Sequence, residues 1–210
     1  MVTGPESPNK IVVRMASHRS KIFLFTGALL LACALPIMPS LLNKHGYYGL
    51  VVDLPTPELP AELVPEQGLS VVYFGYRQCG TVCPVQLVNL LNLHQRLENT
   101  PVEFLFVTLD PENDSRDLLD QAMAGLGDGF RAYRPDSPRA AQNLALAFGD
   151  FAIRDTRAET SILSHGARLY VVSPGPRRRL LYTSPDLDLD LVEKDIRHLL
   201  ADMTIDKEAL

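Results

Sequence analysis

The chain has no excess of positive charge: 20 Lys and Arg stand against 25 Asp and Glu in 210 residues, a formal charge of −5. Nucleic-acid binding draws its affinity from neutralised phosphates, so this balance argues against nucleic acid as a partner. Cysteine is scarce, at three residues, too few to staple a small fold together with disulfides. No internal repeat is present. A hydrophobic fraction of 46% with 21% charged residues excludes a chain that is disordered throughout. What remains is one globular domain with an appendage.

Charge is missing altogether from residues 22–42, a run of 21 residues that as a helix would span about 30 Å, the thickness of a bilayer's hydrocarbon core. Lys10, Arg14, Arg19 and Lys21 precede it, with Glu6 opposing them. The positive-inside rule then predicts a basic cytoplasmic tail over residues 1–21, a single transmembrane anchor over 22–42 and an extracytoplasmic (periplasmic) location for everything beyond. Two processing alternatives stand beside the anchor. Ala32-Cys33-Ala34 resembles a signal-peptide cleavage site, and Leu30-Leu31-Ala32-Cys33 resembles a lipoprotein box. The apolar run continues through Ile37, Met38, Leu41 and Leu42, which favours an uncleaved anchor, while Pro36 and Pro39 weigh against it. Cys33 reads most simply as a lipid-facing apolar residue. Residues 43–68 carry Pro55, Pro57, Pro60 and Pro65 and read as a stiff linker. Tyr47 and Tyr48 are expected at the membrane interface, and residues 49–54 as an edge strand.

The most informative stretch is VVYFGYRQCGTVCPVQL, Val71 to Leu87. Val71 to Phe74 is β-branched and aromatic, as a buried strand requires, and Gly75 ends the pattern. Pro84 suits the first position of a helix, which puts Cys83 at or beside its N-cap and Cys79 in the loop before it. Two sulfurs with three residues between them converge over the positive end of the helix, which favours thiolates, and thiolates bind soft metals and attack disulfides. A thioredoxin-type oxidoreductase has two residues between its cysteines; here Gly80-Thr81-Val82 intervene, which shifts weight towards metal.

Beyond the cysteines the patterns alternate. A helix is expected from Pro84 to Leu97, with Leu87, Leu90, Leu91 and Leu97 inward, Gln86 off that face and His94 at the core's edge. A strand follows over EFLFVTLD, then a helix capped by Asp114 or Ser115, a short strand near Phe130 to Tyr133, and a helix from Ser137 to Phe148. A hairpin over Ala167 to Thr183 has Arg177-Arg178-Arg179 in a solvated turn, and a helix over residues 188–200 closes the chain. This order predicts an α/β thioredoxin-like domain over residues 69–204, a central mixed sheet covered by helices. In that topology the loop before the hairpin faces the cysteines. Redox thioredoxins carry a cis-proline there; this chain presents His165, a third residue of metal-ligating type.

FGYRQCGTVCP, FVTLDPENDSRDLL and SHGARLYVV together resemble the landmarks of the Sco/SenC family of copper-binding, thioredoxin-like cytochrome c oxidase assembly proteins. The resemblance implies a membrane-tethered domain whose Cys79, Cys83 and His165 bind copper, as Cu(I) or Cu(II), and which delivers it to, or reduces the cysteines of, the dinuclear copper site of cytochrome c oxidase; the proximity of Cys79 and Cys83 in an oxidising compartment predicts a reversible disulfide between them when metal is absent. It implies Asp110 as a residue that shapes the site without binding metal. As partners it implies the copper-bearing subunit of cytochrome c oxidase and a donor protein that loads the site. Gly80 and Thr81 stand where the family usually has proline and an acidic residue, and Ser164 where it often has aspartate, so this site is less negative. From the residues alone, two thiolates and an imidazole suit copper(I), tolerate copper(II) and also suit zinc. A thiol:disulfide oxidoreductase acting through Cys79 and Cys83 without metal is the main alternative. A thiol peroxidase, which wants an activating Thr or Ser and an Arg, has only Thr81 in its favour.

Overall fold

The computed structural model describes residues 46–55, 60–155 and 162–208. The chain divides into two compact units, Met1–Gly46 and Tyr47–Leu210. The first, but for Gly46, lies outside the described residues, and with it the expected tail, anchor and Cys33. No helix among the described residues is long and apolar enough to cross a membrane.

The second unit holds β1 (Leu50–Pro55), β2 (Leu69–Gly75), α1 (Val82–Arg96), β3 (Val102–Thr108), α2 (Arg116–Ala124), β4 (Phe130–Tyr133), α3 (Pro138–Ala147), β5 (Ala152–Asp155), β6 (Ile162–His165), β7 (Leu169–Ser173), β8 (Arg177–Tyr182) and α4 (Leu189–Glu208). Six strands form one sheet in the order β1-β8-β7-β2-β3-β4, and β5 pairs with β6 separately. β2 runs parallel to β3, and β3 to β4, while β7 lies antiparallel to β2. This is the mixed, helix-covered sheet the sequence predicts.

All of β2 is buried, which explains its unbroken apolar run: alternate side chains enter two different cores. Val71 and Tyr73 face Leu90 and Leu93 of α1 and Val192, Ile196 and Leu199 of α4. Val72 and Phe74 face Leu144 and Ala145 of α3 and the ring of Phe148. Ser115 and Ser137 cap α2 and α3, each accepting from the backbone N–H three residues on. His94 lies half-buried against the rings of Phe104 and Phe130, which stack on each other.

Several expectations give way to the fold. Tyr47 is not an interfacial ring: it is buried, stacks on His198 and donates to Asp202. Its neighbours enter the sheet as β1, so part of the stretch read as linker belongs to the folded unit. The cause is Asp195 on α4, a buried carboxylate that accepts from the backbone N–H of Tyr48 (3.0 Å) and Gly49 (2.8 Å) and from the Tyr182 hydroxyl (3.1 Å). Removing it strands three donors, those of Gly49 and Tyr182 buried. The Asp195→Ala variant is therefore expected to lose about 3 kcal/mol of stability, read from the urea midpoint, and an unchanged midpoint contradicts the clamp. The three arginines are not a solvated turn either. Arg177 and Arg179 reach Asp53 of β1 at 3.0 and 3.2 Å, and Arg178 lies over the Phe148 ring and donates to its carbonyl.

Candidate metal centre

β2 delivers the chain to the site and Gly75 makes room for it. A Cβ there would lie 2.9 Å from both the Cys83 sulfur and the Phe106 ring, inside van der Waals contact, so this position admits only glycine. The loop then turns: the Cys79 N–H donates to the Tyr76 carbonyl (3.1 Å), and the Arg77 N–H donates to Asp114 (3.1 Å), which also accepts from the Thr108 hydroxyl (2.6 Å). Asp114, almost wholly buried, thereby ties the cysteine loop to the end of β3.

The helix begins earlier than Pro84 predicts. Its first residue is Val82 and Thr81 occupies the N-cap, so Cys83 is the second helical residue rather than the cap, and Pro84 the third. Proline tolerates this because every N–H of a first turn lacks an intrahelical partner. The Thr81 hydroxyl makes no cap bond and instead lies 3.6 Å from the Cys79 sulfur.

His165 ends β6, opposite Ala152 of β5, a hairpin that sequence patterning does not reveal. Its Nδ1 lies 2.7 Å from the Gly166 carbonyl. A carbonyl only accepts, so Nδ1 carries a proton, which leaves Nε2 as the ring atom turned to the sulfurs: a lone pair for a metal when the ring is neutral, an N–H for a thiolate when it is not. Nε2 lies 3.4 Å from the sulfur of Cys79 and 3.4 Å from that of Cys83, and the donor atoms of all three residues fall within 4.8 Å of one another. Two donors sharing one ion at bond lengths of about 2.0–2.3 Å would have such separations. The rings of Tyr76 and Tyr73 flank the imidazole at 5.6 and 6.2 Å.

Two residues outside the cysteine loop hold the histidine turn. Gln86, expected off the core face, is fully buried because its amide donates to the Ala167 carbonyl and accepts from Asn89 (2.8 Å). Asp150, also buried, accepts from the Tyr170 hydroxyl (3.0 Å) and the Phe151 N–H (2.8 Å) and packs directly under Gly166, where any Cβ would collide with its carboxylate. Asp110 is buried and accepts from the Asn113 side chain (2.8 Å) within its own turn; Asp114 makes the bond to the cysteine loop.

The two thiols differ electrically. Burial opposes ionisation of Cys79, but the backbone N–H groups of Thr81 and Cys83, then His165 and the Cys83 side chain, more than offset it and bring its pKa down to about 6. Burial pushes Cys83 up to about 12, and the Cys79 thiolate adds to this. The hydroxyl of Tyr73 works the other way, although it is fully buried and has no partner within ordinary hydrogen-bond distance. Cys79 ionisation therefore stabilises the reduced fold completely above the ordinary value of 9.0 and ceases to as pH falls through about 6. In the metal-free protein at pH 7, iodoacetamide should modify Cys79 well before Cys83, with a rate that falls as pH falls through about 6. Peptide mapping showing equal labelling of both would contradict the asymmetry.

Comparison with known proteins agrees with this geometry. A profile described as SCO1/SenC matches residues 65–201. An SCO2-like protein of Rickettsia prowazekii is 26% identical over 124 residues, a match covering 51% of this chain and 60% of that protein. One of Rickettsia typhi is 31% identical over 113 residues, covering 40% and 56%; the chain thus matches less than two thirds of these relatives' length. The solution structure of apo Sco1 from Thermus thermophilus superposes with a TM-score of 0.60 at 27% identity, over 75% of this chain and 99% of that one. The copper-bound ScoI structure from Arabidopsis thaliana has the same fold, with a TM-score of 0.57 at 21% identity, over 65% and 88%. With its profile match running from before β2 into α4 and including all three ligand-type residues, the chain belongs to the SCO1/SenC family.

Proposed function

We propose that this protein is a membrane-anchored, periplasmic copper metallochaperone that assists assembly of the dinuclear copper site of cytochrome c oxidase. The observation that carries the reading is the convergence of Cys79, Cys83 and His165. Two sulfurs and one imidazole are the donor set for copper(I), which is soft, and the nitrogen extends it to copper(II). Copper is cargo here. In this reading the thiolates hold it, His165 completes the set, and a partner offering better-placed thiolates on the oxidase's copper-bearing subunit removes it. A donor protein of the same compartment reloads the site. Gln86 and Asp150 keep the imidazole turned towards the sulfurs. The uncharged run at residues 22–42, with four basic residues before it, supports the anchor and the orientation.

A second reading rests on the unequal thiols. A thiolate with a pKa of about 6 beside a protonated partner is also an attacking and resolving pair, so the protein would reduce the oxidase's cysteines without carrying metal.

Metal analysis tests the first reading. Reduced protein purified without an affinity tag is expected to hold one equivalent of copper(I), and protein oxidised to the Cys79–Cys83 disulfide none. Equally tight binding by the oxidised form would sink the paired-thiolate site.

A further inference from the structure

One surface feature lies away from the metal centre and answers to none of its chemistry. Three large apolar side chains lie close together on β1 and its approach: Tyr48, Leu50 and Leu54 are 43%, 58% and 50% exposed, and the register with β8 puts Leu50 and Leu54 on the same face. A soluble surface rarely gathers apolar groups this closely without a partner. β1 is an edge of the sheet, and a shallow groove between Tyr48, Leu50, Leu181 and Leu187 continues the patch with a volume of about 220 Å³.

We propose that this face rests on a lipid bilayer, seated at the boundary of headgroups and acyl chains. The inference builds on the anchor reading for residues 22–42. Tyr48 lies six positions beyond Leu42, a reach of at most about 20 Å, so an anchored chain keeps Tyr48 within that distance of the end of the apolar run. The patch chemistry fits that depth: an amphipathic tyrosine ring with aliphatic side chains beside it. Asp53, within the strand, is paired with Arg177 and Arg179.

A second copy pairing edge to edge is the competing occupant, and the backbone disfavours it. Asp53 adopts a φ of 37° and the register with β8 slips between Val51 and Leu54. Such a bulge bends an edge strand and spoils it as a template. Arg177 also takes up the Asp53 carbonyl at 2.9 Å. Side chains rather than backbone groups are left to make the contact, and lipid asks for nothing else.

The chain contains no tryptophan, so a single introduced indole reports its own surroundings. Full-length Leu50→Trp and Leu54→Trp variants would be reconstituted in phosphatidylcholine vesicles with and without brominated acyl chains. Leu118→Trp serves as the control, because Leu118 is 40% exposed on α2, which packs against the opposite edge strand β4. Both β1 variants are expected to emit further to the blue than the control and to lose at least half of their emission to bromine, with the control losing little. Equal quenching at all three positions overturns the proposal. So does blue-shifted but unquenched emission with a dimer on sedimentation in detergent, which assigns the face to a second copy. Vesicle flotation separates the underlying reading: a chain that fails to float has no anchor, whereas one that floats with unquenched β1 variants keeps its anchor and loses this surface.

Discussion

The Cys83→Ala variant is expected to lose copper(I) affinity by more than the roughly 10–100-fold that deleting an outer partner of a metal ligand costs. Cys83 is buried in the first turn of α1 with its sulfur 3.4 Å from the His165 imidazole, and among the described residues no other residue of metal-ligating type joins the group to replace it. Alanine removes the sulfur and leaves Cys79 and His165 with one soft donor between them. Copper(I) prefers paired thiolates, and a single thiolate with an imidazole is a poorer set. The fold should survive, because the loss is one small apolar group and typical substitutions cost about 0.5–3 kcal/mol. Titration against a copper(I) chelator, with circular dichroism to show native structure, measures the effect. A folded variant within tenfold of the parent would mean that Cys83 is only a core residue.

The same variant distinguishes what was legible in the chain from what was not. Cys83 is recognisable as site chemistry because it follows a strand pattern and precedes a proline, both local signals. Its depth in the helix is not, since a proline fits anywhere in a first turn. Residues that act across the fold leave still less trace. Gln86 is polar at a helical position and reads as surface, yet its amide meets the Ala167 carbonyl 81 positions away. Asp150 looks like a loop carboxylate until Gly166 is packed against it. Asp114 reads as a candidate helix cap, although its carboxylate serves Arg77 and Thr108 and Ser115 does the capping. Asp110, singled out by resemblance, is buried as a shaping residue would be, but its bond to Asn113 is local. The β5–β6 hairpin has strands of four residues each, too short for alternation to stand out from loop sequence. Periodicity reports which face is buried, and it is silent about which polar group meets which.

His165→Ala separates the metallochaperone from the thiol reductase, because disulfide exchange needs only the sulfurs while copper(II) needs a nitrogen donor. The imidazole sits at the open side of the site, half-buried where both cysteines are buried, and its Nε2 is aimed at them by the Nδ1–H bond to Gly166. Copper(I) accepts two thiolates alone, so the variant should keep most of its copper(I) affinity. Copper(II) affinity should fall by about an order of magnitude or more, and the sulfur-to-copper charge-transfer band should shift or vanish. Cells carrying the variant should fail to assemble cytochrome c oxidase. A reductase predicts the reverse: Cys79 would reduce a model disulfide with a rate still following its pKa of about 6, displaced upward only by loss of the His165 contact, and oxidase would assemble normally. Unchanged copper(II) binding together with normal oxidase activity would remove His165 from the site and leave the two sulfurs as a redox pair.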